Sequence, residues 1–233
     1  MRIALLADLH GNWPATQALE QDLKKQGADK IFCLGDIVGK GPNSHQTFDW
    51  AFQNCDLILG GNWDYGIGYQ HFPKDGFYWQ QLGSERLARL RALPKEHRMV
   101  LSGRRIRLFH GRPIMPELVT IRNDTEDILP FFADENGVRF DVVAYADAHR
   151  QALRTMTPGL FINCGSVGNA LGEPRCCYAL LEGDPENASA PFEVRFRSFD
   201  YDRAEAIRQA KETPDIAFID CFIREIETGV YSR

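Results

Sequence analysis

The sequence predicts an α/β fold, and three observations carry that expectation. Apolar runs recur along the whole chain, each closing at Gly, Asp or His, and several are continuous rather than alternating, the pattern of strands covered on both faces. The first two runs are joined by a helical stretch, so that strand, helix and strand fit within the first 34 residues, which is a βαβ unit. The chain has 233 residues, 44% of them hydrophobic and 25% charged, a balance typical of a globular domain large enough to bury most of its apolar surface. A single domain over residues 1–233 is expected.

The runs lie at 2–7, 30–34, 56–59, 105–109, 141–145, 160–162, 177–182 and 192–199. Between the first two, Ala15, Ala18, Leu19 and Leu23 recur at helical spacing, with Pro14 suited to a first turn and Gly27 to a stop, predicting a helix over 14–26. Leu87, Leu90 and Leu93, followed by Pro94, predict a second helix over 84–93, and a third is expected near 202–211. The stretch 65–82 mixes Gly66, Gly68 and Gly76 with Tyr65, Tyr69, Phe72, Phe77, Tyr78 and Trp79, and reads as a loop excursion. A second excursion spans 112–137. Both follow polar residues at strand ends, where they could wall a pocket.

Charge and cysteine usage narrow the function classes. Lys plus Arg number 27 against 32 Asp plus Glu, a net charge of −5 with no long basic block, so the sequence carries no strong nucleic-acid signal. No apolar run approaches the roughly 18–20 residues that span a bilayer, and the N-terminus lacks the pattern of a signal peptide. A cytoplasmic protein without a membrane partner is expected; oligomeric state is not legible. Cys33, Cys55, Cys164, Cys176, Cys177 and Cys221 form no CxxC pair and read as free thiols packed among apolar neighbours.

The chemistry lies at the strand ends. The first run closes on Asp8-Leu9-His10, whose two side chains, at i and i+2, can converge. The second closes on Gly35-Asp36, where Gly35 permits a tight turn and leaves Asp36 at the strand tip. The third closes on Gly60-Gly61-Asn62-Trp63-Asp64, the fourth on His110-Gly111-Arg112-Pro113 and the fifth on Ala146-Asp147-Ala148-His149. Ligands of α/β sheets bind outside the carboxyl ends of strands. Carboxylate, amide and imidazole donors together suit Mn²⁺, Fe, Zn²⁺ or Ni²⁺. His45, His71 and His97 have no such motif around them and read as structural.

These motifs, in this order, resemble those of the calcineurin-like metallophosphoesterases, particularly the small bacterial and archaeal phosphoesterases. Asp8-Leu9-His10 is similar to the family's DxH. Gly35-Asp36-Ile37-Val38-Gly39-Lys40-Gly41-Pro42 matches GDxxxxGP, Gly61-Asn62-Trp63-Asp64 is similar to GNHD, and His110-Gly111 to HG. Ala146-Asp147-Ala148-His149 is similar to GHTH, and Asn163-Cys164-Gly165-Ser166-Val167-Gly168 resembles the run that follows it. The resemblance covers roughly residues 1–200. It implies two mixed β-sheets packed as a sandwich with helices on the outer faces. It also implies two divalent ions, one held by Asp8, His10 and His149 and the other by Asn62, His110 and Asp147, with Asp36 bridging them. The implied reaction is hydrolysis of a small-molecule phosphoester by a hydroxide held between the ions, with Asn62 also touching substrate.

Two departures refine that expectation. Trp63 stands where the family most often has the His that protonates the leaving group, and an indole N–H does not titrate usefully. The resemblance therefore points to a phosphodiester or an activated phosphate ester rather than an alkyl monoester. Asp64 then has no imidazole to orient, and is expected to act in the site by fixing the loop or hydrogen-bonding a metal-bound water. Asp147 stands where the family has a His, adding a negative charge that favours Mn²⁺ or Mg²⁺ over Zn²⁺; Mn²⁺ is the expected ion. Arg112 is expected to bind substrate phosphate. The other reading these departures allow is a degenerate member that binds a phosphorylated ligand or a protein partner without turnover.

Overall fold

The computed structural model describes residues 1–232. Its strands are β1 (Arg2–Leu6), β2 (Lys30–Cys33), β3 (Leu57–Ile58), β4 (Glu96–Leu101), β5 (Arg104–Phe109), β6 (Val142–Tyr145), β7 (Ala152–Thr155), β8 (Leu160–Asn163), β9 (Cys176–Glu182) and β10 (Glu193–Phe199). The helices are α1 (Trp13–Gln26), α2 (Ser44–Asn54), α3 (Asn62–Gly68), α4 (Gly76–Arg91), α5 (Thr125–Ile128), α6 (Arg203–Lys211) and α7 (Ile219–Thr228). The strands form two five-stranded sheets, ordered β10-β9-β1-β2-β3 and β4-β5-β6-β8-β7. Both are mixed: β1, β2 and β3 are parallel, as are β5, β6 and β8, while β9, β10, β4 and β7 pair antiparallel.

Alternation along β1 shows why the sheets stack. Ile3, Leu5 and Ala7 face the second sheet and pack with Leu101, Ile106, Leu108, Val142 and Ala144. Ala4 and Leu6 face the other way, into a core shared with Leu19 and Leu23 of α1 and Phe222 and Ile226 of α7. A strand buried on both faces leaves no polar position, hence the continuous run Ile3-Ala4-Leu5-Leu6-Ala7. Helix α1 starts where Asn12 accepts a hydrogen bond from the Ala15 N–H and ends at Gly27, whose φ of 62° forms a left-handed cap.

The stretch 65–82 is not a loop excursion. It is covered by α3, a 3-10 turn at Pro73–Asp75 and the first half of α4. Tyr78 and Leu82, four residues apart, are buried on the first half of α4, and Leu87 and Leu90 on the second. Gly83, at φ 69°, interrupts α4, and its second half is the helix expected from 84 onward. The segment 112–137 is irregular apart from α5 and a 3-10 turn at Leu129–Phe132. It covers the outer face of the second sheet, where Met115, Val119, Ile128 and Phe132 pack on Phe109, Val143, Tyr145 and Phe161. All six cysteines are free thiols. No helix among the described residues is long and apolar enough to cross a membrane.

The chain after β8 grips the chain after β1. Val167 N–H donates to Ala7 O at 3.0 Å and Gly168 N–H to Asp8 O at 2.8 Å. A Cβ on Gly168 would lie 2.0 Å from Leu9 O, a contact that only backbone movement relieves. Gly168→Ala is expected to destabilise the fold by about 1–3 kcal/mol, as overpacking does, read as a lower urea midpoint at unchanged m-value. An unchanged midpoint would mean that this junction is loosely held.

Candidate metal centre

The strand ends converge on one buried cluster. Asp8 and His10 follow β1, Asp36 follows β2, Asn62 opens α3 after β3, His110 follows β5, and Asp147 and His149 follow β6. The turns that carry them share an unusual backbone. Asp8 (φ 56°), His10 (47°), Asp36 (54°), Asp147 (62°) and His149 (55°) are all left-handed, a conformation that costs a non-glycine residue about 1 kcal/mol or more. Backbone hydrogen bonds hold them there: Asp8 N–H donates to Gly35 O at 2.9 Å, and His10 N–H to Asp36 O at 3.1 Å.

Three imidazoles are oriented alike. His10, His110 and His149 each direct Nδ1 at a main-chain carbonyl: Val38 O at 3.3 Å, Leu34 O at 2.9 Å and Asn169 O at 2.7 Å. A carbonyl only accepts, so Nδ1 carries a proton and Nε2 is turned toward the cluster, the arrangement of a metal-ligating histidine. Nε2 of His10 and Nε2 of His149 lie 3.2 Å apart, two lone pairs facing each other across the space a cation would fill. Asp8 Oδ1 is 3.5 Å from His149 Nε2 and 3.8 Å from His110 Nε2. Asp36 Oδ2 is 3.3 Å from His110 Nε2 and 3.6 Å from His10 Nε2, between the two rings.

Two ligand groups result, Asp8 with His10 and His149, and Asp8 with Asp36 and His110, each with its donor atoms within 4.8 Å of one another. Both Asp8 carboxylate oxygens, Asn62 Oδ1 and His110 Nε2 are buried with no hydrogen-bond partner. Orphaned buried polar atoms are costly, and divalent cations relieve them. The charge balance shows the same deficit. Burial, reinforced by Asp36 and Asp147 against the pull of His110, pushes the Asp8 carboxyl well above its usual range. Burial opposes protonation of His110, but Asp36, Asp8 and Asp147 outweigh it and push that imidazole up to about 10. The residues fit divalent metal.

The remaining expected residues fall into place differently. Asp64 is buried and engages the backbone: Asp36 N–H and Gly61 N–H donate to its Oδ2 at 2.7 and 2.9 Å, and Ile37 N–H to its Oδ1 at 3.0 Å. It ties the Asp36 turn to the start of α3. Trp63 N–H donates to Asp36 Oδ1 at 2.9 Å, leaving Oδ2 for the histidines. The Trp63 ring meets the His10 ring edge-on at 5.7 Å and covers Gly39, where a Cβ would collide with it at 2.3 Å.

Asp147 and Arg112 meet each other. Arg112 Nε and Nη2 donate to Asp147 Oδ2 and Oδ1 at 2.8 and 2.6 Å, a two-pronged ion pair. Burial works against ionisation of Asp147, but the Arg112 hydrogen bonds, the charge of His110 and the charge of Arg112 prevail and hold its carboxyl below the usual range. Asp147 Oδ1 stays 3.9 Å from His110 Nε2. Asp147, expected to complete the second ion's ligand set, has both carboxylate oxygens engaged by Arg112 and falls in neither ligand group, and its extra negative charge is matched by a guanidinium.

A cavity of about 520 Å³ opens over the cluster, reaching Asp36, Asn62, Asp147 and His149. Trp63, Ile67, Phe72, Leu118 and Tyr231 give it an apolar wall, and Lys40, Lys74, Arg112 and Arg150 give it positive charge. His71 is not among its lining residues; its ring stacks on Tyr69 at 5.5 Å. Tyr231 and the buried Lys40 were not expected from the sequence. Lys40 lay within a quoted motif, but its partner is remote in the chain.

Comparison with known proteins agrees with this geometry. The calcineurin-like phosphoesterase superfamily domain matches residues 1–186. An uncharacterized Methanocaldococcus jannaschii protein, MJ0912, is 29% identical over 175 residues, 71% of this chain and 69% of the relative. The Escherichia coli phosphodiesterase YfcE is 22% identical over 79% of this chain and 89% of its own. The crystal structure of a metallophosphoesterase from Sphaerobacter thermophilus superposes with a TM-score of 0.74 at 25% identity, covering 99% of this chain and 100% of that one. PH1004 from Pyrococcus horikoshii shares the fold at a TM-score of 0.77 and 21% identity, with 99% of each chain covered. With strand-end motifs, paired sheets and a family match over most of its length, the chain belongs to the calcineurin-like phosphoesterase superfamily.

Proposed function

We propose that the chain is a metal-dependent hydrolase of a phosphodiester or an activated phosphate ester, acting on a small molecule. The observation that carries the reading is Asp8, whose two buried oxygens lack hydrogen-bond partners beside three imidazoles that present Nε2. Asp8, His10 and His149 would hold one divalent ion, and Asp36, His110 and Asn62 the other, with Asp36 between them. Such a pair of ions, when bound, activates water and neutralises phosphoryl oxygens. Mn²⁺ is the ion we expect, since carboxylate and amide oxygens are well represented among the donors.

The protein's own groups define the rest. Asp64 and the Trp63 N–H fix Asp36 from two sides. Arg112 lines the cavity and can share its guanidinium between Asp147 and a phosphoryl oxygen. The Trp63 side chain cannot protonate a departing oxygen, so the leaving group must be a weak base, such as an aryl oxide or another phosphate. The relative named a phosphodiesterase supports a diester substrate. The non-catalytic reading has support in the same two features, Trp63 and the Arg112–Asp147 pair; a chain that binds Mn²⁺ but turns over no ester in an assay panel would establish it.

With Mn²⁺, the chain is expected to hydrolyse bis-p-nitrophenyl phosphate faster than any alkyl monoester, and Trp63→His is expected to raise the alkyl monoester rate at least tenfold, a part of the roughly 10²–10⁴ that a well-placed general acid contributes. Equal wild-type rates on aryl and alkyl monoesters would show that another group supplies the proton. Asp36→Asn is expected to lower kcat at least about a hundredfold and to reduce bound metal, measured by elemental analysis; near-normal turnover at full metal content would remove Asp36 from the bridge. Arg112→Ala is expected to raise KM for the diester while metal content stays full, and an unchanged KM would confine Arg112 to the Asp147 pair.

A further inference from the structure

Helix α7 buries a carboxylate on its apolar face. Ile219, Phe222, Ile223 and Ile226 pack into the core, and Glu225, equally buried, lies among them. Buried charges need partners, and Glu225 Oε2 lies 3.2 Å from Lys40 Nζ. Lys40 is itself buried and left-handed, at φ 53°, in the turn that follows Asp36. Its Nζ also donates to Asn169 Oδ1 at 2.6 Å. The main-chain oxygen of the same Asn169 accepts the His149 Nδ1–H at 2.7 Å. A continuous path of polar contacts thus runs from α7 through Lys40 and Asn169 to a candidate metal ligand. Residue 225 lies beyond the residues that the family domain matches.

An ammonium next to a dication site poses an electrostatic problem. Lys40 lines the same cavity as His149, so its ammonium sets a positive field beside the candidate metal ligands. The same positive field would repel a divalent ion. We propose that Glu225 is a positioning residue of the metal centre: it neutralises Lys40, so that the ammonium beside Asn169 and His149 does not weaken the site's hold on a divalent ion. The inference rests on the metal-binding reading above.

The test is calorimetric titration of Mn²⁺ into the full-length chain after chelator treatment, with thermal unfolding of each variant recorded alongside. Glu225→Gln keeps the shape and removes the compensating charge, and is expected to weaken Mn²⁺ binding about tenfold or more. Lys40→Met leaves the negative charge and is expected to bind Mn²⁺ at least as tightly as wild type. The double variant removes both charges, a replacement that buried pairs often tolerate, and is expected to return to within about threefold of wild-type affinity. A merely structural role would leave the double variant at least as impaired as Glu225→Gln. That result, or wild-type affinity in Glu225→Gln, overturns the proposal. A wild-type chain that takes up no Mn²⁺ overturns the metal reading on which it stands.

Discussion

Burying carboxylates and imidazole lone pairs together, with too few hydrogen-bond donors to satisfy them, is the constraint on which the rest of the structure depends. Asp8 and Asp36 face His10, His110 and His149 at 3.3–3.9 Å. In a low-dielectric interior such a set is stable only when positive charge completes it. The fold concentrates the means to hold it at one edge. Parallel pairs β1-β2-β3 and β5-β6-β8 bring their carboxyl ends to the same side, and the left-handed turns that follow aim the donors inward. That strain is sustained by two rigid sheets packed through an apolar interior.

The surroundings divide the work of charge control. Arg112 matches Asp147 at the mouth of the cavity, and Glu225 matches Lys40 beneath it. Each pair brings one positive and one negative group near the metal donors with no net charge. Under the proposed function the carboxylates of the centre would be left to a divalent ion, and the cations along the cavity wall would face the phosphoester. Trp63, Phe72 and Tyr231 give the same cavity an aromatic wall.

Much of this was legible in the residue order. Asp8, His10, Asp36, Asn62, His110 and His149 stand at strand ends, and local chain geometry is enough to turn such residues toward one point. Asp147 was legible as a position but not as a partner, because the guanidinium that claims it lies 35 residues away. The hydrogen bonds of Asp64 come from backbone N–H groups of Asp36, Ile37 and Gly61, which carry no sequence signal. Helix α3 and the first half of α4 were hidden because glycines and aromatic residues disguise a helical period. The Lys40–Glu225 pair spans 185 residues, beyond any local pattern. A glutamate between Phe222 and Ile226 on an otherwise apolar helical face was nonetheless a readable anomaly once α7 is recognised.

The central claim is that these donors form a divalent-metal centre. A crystal of the chain grown with Mn²⁺ and measured at the manganese absorption edge tests it most directly. The account predicts two anomalous peaks, one among Asp8, His10 and His149 and one among Asp36, His110 and Asn62, about 3.5–4 Å apart as in two-metal hydrolytic sites. A map with no peak inside the cluster, or with manganese bound only at the protein surface, would contradict it.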